Sequence, residues 1–402
     1  MDSKQHSQAK NQKDKKALKR LLITFAVFLV LLITFIILRQ FYSVAMFLNS
    51  TLSRGFAFVM ANITNIIPFS VFEVFVYLAI LFVLSYLVLT IVFLIKKKRI
   101  KALRSFLAIL LAVLVTITTF FMSAGFSYAQ TFSPVPTFDG EVNLGDFESI
   151  AAYFLDDFNN LAASLARDEN GNVIQPYTDR QLSDKLNAEF NRANLDGLFS
   201  HNTRVSVFRS GRLMSELGIG GVFFPPLSEA NINSLLPASQ RPFVMAHEIA
   251  HARGVMREDF ANDVAWYITL NSSNDFIRYS GYMSAFNALV IGFGQFGEFA
   301  LQSEFFNKLH PYIDRERQNN DAHWDSFMVL SNLTNWVNDL FLRIMGQEDG
   351  TDAYRPNFDY EEEYVRDPNT GDIVYNPDTG RPEIIRTPVF NTLQRVFFYI
   401  YM

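Results

Sequence analysis

The chain has 402 residues, half of them hydrophobic, with 41 phenylalanines and no cysteine, so disulfides and thiolate sites are excluded. Of 35 Lys and Arg, 15 precede residue 127, but only three of 40 Asp and Glu do. The remainder, with 20 basic and 37 acidic residues, carries a net −17 and lacks the basic footprint that nucleic acid requires, so no nucleic-acid partner is expected.

Residues 1–20 form a basic tail with seven Lys and Arg. The stretch "LLITFAVFLVLLITFIIL" (21–38) is 18 residues without a charge, about the length that crosses a bilayer. Its apolar run is longer than that of a usual signal peptide, and no small-x-small cleavage site follows, so it reads as an uncleaved anchor. A second run covers 71–95, broken only by Glu73, and a third covers 105–126. Three transmembrane helices are therefore expected, in a membrane domain spanning 21–126. The link over 39–70 is apolar but interrupted by Asn, Arg, Gly and Pro, and reads as an interfacial helix on the outer leaflet.

The link between the second and third runs carries Lys96, Lys97, Lys98, Arg99, Lys101 and Arg104. By the positive-inside rule this link and the N-terminal tail are cytoplasmic, and three crossings leave residues 127–402 outside. The absence of cysteine fits a bacterial exported domain. A multi-pass protein of the bacterial cell membrane, in contact with its lipid, is expected.

Beyond the membrane, "SYAQTFSPVPTFDG" reads as a linker and 145–200 as mainly helical. "RDENGNVIQ" is read as a plain turn and not a calcium loop, because the downstream glutamate is missing. Strands are expected at 203–208 and 218–226, and helices over Ser239–His251 and Glu258–Leu270. The run 284–302 contains Asn287, Gln295 and Glu298 and is expected as a buried helix. Repeated D/N-P-x-T-G turns mark a β-hairpin insertion at about 362–388. The expected class is α+β, mainly helical.

The chemistry concentrates in "MAHEIAHARGVMREDFAND" (245–263). At i and i+4 of a helix, His247 and His251 share a face and can address one metal ion. Glu248, rotated by one residue, can reach a water on that metal without being a ligand, the position of a general base for peptide hydrolysis. Catalytic zinc takes three protein ligands. Gly254 can end the helix, and Glu258 at the start of the next one is the expected third ligand, with Asp259 the alternative. His201, His310 and His323 are isolated and read as surface or hydrogen-bonded residues.

A donor to the developing oxyanion is also needed. "NDFIRYSGY" offers Arg278, Tyr279 and Tyr282; Tyr279 is the candidate, with core packing as its alternative role. "GIGGVFFPPLSEANIN" can supply an edge strand for an extended peptide, with Gly221, Val222, Glu229 and Asn231 lining the cleft; helix capping is the alternative for Glu229 and Asn231.

These blocks, "GIGGVFFPPLSEANIN", "PFVMAHEIAHARGVMREDFANDVAWYI" and "IRYSGY", together with "NDLFLRIMGQEDGTDAY", resemble a bacterial family of uncharacterised multi-pass membrane proteins. Its members pair N-terminal helices with an H-E-x-x-H, E-x-x-A-N domain of zincin type. The E-x-x-A-N element (Glu258 to Asn262) is similar to the helix of glutamate-type zincins. That similarity implies Glu258 as the zinc ligand, with Asn262 orienting a histidine and Asp259 beside it. The chain departs from the family at Phe260, where a third acid is usual.

The combined expectation is a membrane-anchored zinc metallopeptidase that acts on peptide bonds at the outer face, with zinc on His247, His251 and Glu258 and with Glu248 as base. The substrate would be a peptide or protein segment at the cell surface. The alternative is an inactive zincin-like domain serving as an envelope binding or assembly module.

Overall fold

The computed structural model describes residues 3–327, 331–347, 350–351, 360–368, 370–375, 382, 384–390 and 392–402. The chain begins with α1 (Ser3–Arg39), followed by α2 (Tyr42–Leu48), which runs through a π-helical turn (Asn49–Ser53) into α3 (Arg54–Thr64). Next come α4 (Val71–Ile95) and α5 (Arg99–Phe120), which ends in a second π-helical turn (Phe121–Gly125). Among the described residues, four helical segments are long and apolar enough to cross a membrane, not the three expected: Gln12–Arg39, Tyr42–Thr64, Val71–Ile95 and Arg99–Gly125. The additional one is the segment read as interfacial. Its interruptions by Asn, Arg and Gly are absorbed by a π-helical turn and do not break it.

The contacts give this bundle two distinct ends. At one, Asp14 pairs with Arg104 at 3.0 Å and Lys101 at 3.6 Å, which gathers the basic tail and the basic link. At the other, Arg39 donates to the carbonyl of Met345 and Ser53 donates to that of Met122. There too, Asn65 donates to the carbonyl of Asn202, and the amide of Arg204 donates to Asn65. Chain on both sides of Tyr42–Thr64 thus meets the C-terminal part, so both ends of this helix lie on the same side of the bundle.

The rest of the chain forms one helical body around a small sheet. Its first half contains α6 (Leu144–Ser164), α7 (Asp179–Ala193), β1 (Val205–Phe208), α8 (Gly211–Glu216), β2 (Gly221–Phe224) and β3 (Glu229–Asn233). Then follow α9 (Arg241–Ala252), α10 (Glu258–Leu270), α11 (Asp275–Phe296), α12 (Phe299–Asn307), α13 (Pro311–Asp325) and α14 (Ser331–Ile344). The chain closes with β4 (Tyr360–Tyr364), β5 (Ile384–Pro388) and α15 (Thr392–Tyr401). Capping boxes at Asn143/Asp146 and Thr178/Gln181 start α6 and α7.

The sheet order is β1-β3-β2, with β1 parallel and β2 antiparallel to β3, so β2 lies at an edge. β4 and β5 pair antiparallel, Tyr360 opposite Pro388, as a hairpin at the expected place; much of its tip lies outside the described residues. The 284–302 run is not the single buried helix expected: its first part is the largely buried end of α11, which stops at Phe296 because Gly297 turns left-handed (φ +78°), and α12 begins at Phe299. Phe147, Phe154, Phe158, Tyr282, Phe286 and Phe293 interlock in the core, Phe158 and Tyr282 stacking at 5.5 Å.

Glu229 and Asn231 do not line a cleft. β3 carries them under the N-terminus of α4, where backbone N–H groups have no intrahelical partner. The Glu229 carboxylate accepts from the amides of Val71 (3.0 Å) and Phe72 (2.6 Å) and from Ser206 Oγ (2.8 Å). Ser70, the N-cap of α4, donates to Asn231 Oδ1 at 2.6 Å and accepts from the Glu73 amide at 2.9 Å. Glu73 in turn accepts from the amides of Arg209 and Ser210, both at 2.9 Å. Negative charge at a helix N-terminus is favourable, and here it clasps a membrane-type helix to the sheet.

Removing the Glu229 carboxylate leaves three donors without an acceptor. Glu229→Ala is expected to lower stability by about 1–3 kcal/mol and to loosen α4 from the sheet. Thermal unfolding in detergent checks this; an unchanged midpoint would contradict the clasp.

Candidate metal centre

The helix that carries both histidines is locally well specified. Pro242 lies in its first turn, where the missing N–H costs nothing. It stops at Gly254, whose φ of +96° suits glycine, and a Cβ there would come within 2.7 Å of the Phe199 ring. Four residues later Glu258 opens α10. The two helices pack against each other, and Met245, Ala246, Ile249 and Ala250 of α9 and Ala261, Val264 and Ala265 of α10 are all fully buried in the same core. Small residues on both faces let them approach closely, which sets the first turn of α10 against the histidine face of α9.

Three donor groups converge there: a nitrogen of His247, a nitrogen of His251 and a carboxylate oxygen of Glu258, all within 4.8 Å of one another. His247 Nε2 lies 3.1 Å and His251 Nε2 3.4 Å from Glu258 Oε2. The opposite ring nitrogens are held: His247 Nδ1 donates to Asn262 Oδ1 (2.8 Å), and His251 Nδ1 donates to the Val255 carbonyl (2.6 Å). Each Nδ1–H is thereby fixed, which turns both Nε2 atoms toward the shared space. Asn262 thus has the orienting position that the family resemblance implied.

Asp259 does not join them. Its carboxylate is bound by Arg257 at 2.6 and 3.1 Å and by Gln347 at 3.4 Å, so Glu258 is the acid that the structure brings to the histidines. Phe260, where the family usually has an acid, is buried beneath the Arg257 guanidinium at 4.6 Å.

The electrostatics follow from burial and from the mutual charges of the four groups. Burial alone would raise the Glu258 carboxyl, but the two imidazoles outweigh it and hold the group below the usual carboxylate range. Burial would lower His251, but the Glu258 and Glu248 carboxylates overcome it and push the imidazole up to about 9. His247 is lowered, by burial and then by His251. Glu248 is 4% exposed, and its Oε2 has no partner among the described residues. Burial, reinforced by Glu258 and opposed by His251, raises its carboxyl to about 8.

Of the expected cleft residues, Gly221 and Val222 do lie at this site. A Cβ on Gly221 would fall 2.5 Å from Glu248 Oε1 and 2.7 Å from Val244 Cγ1, so only glycine lets β2 lie this close to the acid. Phe223, on the same edge strand, stacks on His251 at 6.4 Å.

Tyr279 lies elsewhere. It is fully buried, and its hydroxyl donates to Glu316 (2.6 Å) and accepts from Arg167 (3.1 Å) inside a buried ion pair. A tyrosine near these three groups is Tyr128, just past α5 and 7% exposed. Burial and the Glu258 charge raise its hydroxyl pKa well above normal. No motif marks it; only the fold brings the exit of α5 over this site. Gln347, which accepts from the Glu258 amide at 3.4 Å, likewise comes from a distant segment.

Residues 49–360 match the family model described as "Protein of unknown function (DUF3810)", more than three quarters of the chain, and the chain belongs to that family. No curated protein and no solved structure matches it.

Glu248 makes a direct prediction about stability. Its carboxyl rises from 4.5 to about 8 on folding. Below about pH 4.5 folded and unfolded chains both hold the proton, and the side chain costs nothing; as pH rises toward 8 the unfolded chain releases it first, so stability falls. Glu248→Gln is expected to raise the unfolding temperature of the metal-free protein, by a margin that widens from about pH 5 to pH 8. Equal midpoints for the two proteins at the alkaline end would contradict a buried, uncompensated acid.

Proposed function

We propose that this member of the family is a membrane-anchored zinc metallopeptidase. The observation that carries the reading is the convergence of two oriented imidazoles and one carboxylate, with a second, buried and unpartnered carboxylate beside them. A two-nitrogen, one-oxygen donor set suits zinc and leaves room for a further ligand. Zinc held by His247, His251 and Glu258 would supply Lewis acidity and lower the pKa of a bound water.

The residues of the chain supply the rest. Glu248 takes the proton from the attacking water at its carboxylate and delivers it to the leaving amine. Its raised pKa suits that exchange, because a group that titrates near neutrality both accepts and returns a proton. β2, at an edge of the sheet, lays an extended peptide across the site by main-chain pairing. Gly221 keeps that strand within reach of Glu248. Tyr128 replaces Tyr279 as the candidate donor to the developing oxyanion.

In this reading three helices cross the membrane and Tyr42–Thr64 lies along it, because both of its ends are held on the side of the C-terminal body. The basic end of the bundle, where Asp14 meets Arg104, faces the cytoplasm, and the body that carries the site lies outside. The bacterial cell envelope is the setting, and its surface peptides or proteins are the substrates.

The test compares protein termini in the membranes of cells that express wild-type or Glu248→Gln protein. New termini that require Glu248 are expected. Identical sets of termini would overturn the peptidase and leave an envelope binding module.

A further inference from the structure

α14 has three faces, and only two are accounted for. Leu342 and Met345, each 1% exposed, turn inward. Asn335, Asp339 and Arg343 form a polar arc, with Asp339 and Arg343 paired at 2.8 Å. The remaining arc holds Trp336, Val337, Leu340, Phe341 and Ile344, which are 64, 51, 46, 37 and 67% exposed. An unbroken apolar stripe of this kind is unfavourable in water.

The position of the stripe points to its occupant. Phe341, at its edge, packs against Phe120, the last residue of α5, at 5.7 Å and against Tyr128 at 6.3 Å. At the C-terminal end of the same helix, Arg39, the last residue of α1, holds the Met345 carbonyl and reaches its sulfur at 3.9 Å. Two apolar helices of spanning length therefore end against α14, and the apolar arc continues their exposed surfaces. We infer that α14 lies in the plane of the bilayer on the side of the C-terminal body, its apolar arc in the headgroup–acyl boundary and its polar arc in water. An amphipathic helix with a tryptophan on its apolar face suits that depth.

This placement gives the site a substrate class, and in that respect it rests on the peptidase reading. Past α14, Gln347 bonds to Glu258 and Asp259 in the first turn of α10. The lipid-facing helix is thus tied to the turn that carries the third metal ligand. A polypeptide held in the same leaflet reaches the site without leaving the membrane surface, so membrane-attached chains are favoured over free peptides.

The chain has no cysteine, so single spin labels can be placed without background. Val337→Cys, Leu340→Cys and Ile344→Cys are labelled in the full chain, with Asn335→Cys for the polar arc. The proteins are reconstituted in nanodiscs of phosphatidylethanolamine and phosphatidylglycerol. Power saturation then compares accessibility to oxygen, which partitions into lipid, with accessibility to a water-soluble nickel chelate. Labels at 337, 340 and 344 are expected to show an oxygen-to-nickel ratio several-fold above that at 335. Nickel access at all three equal to that at 335 would overturn the inference and place the stripe in water. Exclusion of both reagents, with spin–spin broadening that disappears on dilution with unlabelled protein, would overturn it in favour of a second copy of the chain. Three independent positions keep the test valid if one label disturbs packing. The readout is membrane depth alone, so its failure leaves the peptidase reading separately testable.

Discussion

The carboxylate of Glu258, buried between two imidazoles, is the interaction that organises this structure. It is the larger of the two charges that offset the burial of His251, Glu248 being the other, and it is itself held charged by the two rings. Neither ring is free to turn away, because Asn262 and the Val255 carbonyl occupy their outer nitrogens. The angle and spacing of α9 and α10, the stop at Gly254 and the small residues between the helices all follow from bringing that carboxylate to that face. Without a cation in the shared space, such a cluster is costly to assemble. A packed apolar pair of helices is often at least as stable, so the cluster does not serve to hold the helices together.

The same argument extends outward. Glu248 carries an uncompensated desolvation penalty, and Gly221 gives up a side chain so that an edge strand can lie beside it. The body is held at its membrane-facing side by main-chain clasps: Glu229 under the first turn of α4, and Glu73 at the Arg209–Ser210 amides. Tyr128 and Gln347, from the exit of α5 and the far side of α14, close over the cluster. The long apolar helices and the candidate site thus belong to one assembly, and the exit of α5 forms part of the wall around the cluster.

Much of this was legible in the sequence where the determinants are local. The i, i+4 spacing of His247 and His251, the glycine stop and the acidic first turn of α10 each follow from helix geometry, and the three long apolar runs follow from length and charge. What escaped were roles set by partners far along the chain. Glu229 meets Val71 and Phe72 across more than 150 residues, so local pattern could only place it in a cleft or at a nearby cap. Tyr279 follows the motif in sequence, but the fold carries it to Arg167 and Glu316, while Tyr128, more than a hundred residues before the motif, arrives beside Glu258. Tyr42–Thr64 reads as broken because its polar residues are counted as interruptions, whereas a π-helical turn keeps the helix continuous.

The central claim is that His247, His251 and Glu258 hold a metal. Elemental analysis of the purified full-length protein, alongside His247→Ala and Glu248→Gln, tests it most directly. The account predicts about one zinc per chain in the wild type and in Glu248→Gln, and none in His247→Ala, since only the histidine is a ligand. Zinc content that stays the same in His247→Ala, or no stoichiometric metal in the wild type after zinc is supplied, would contradict it.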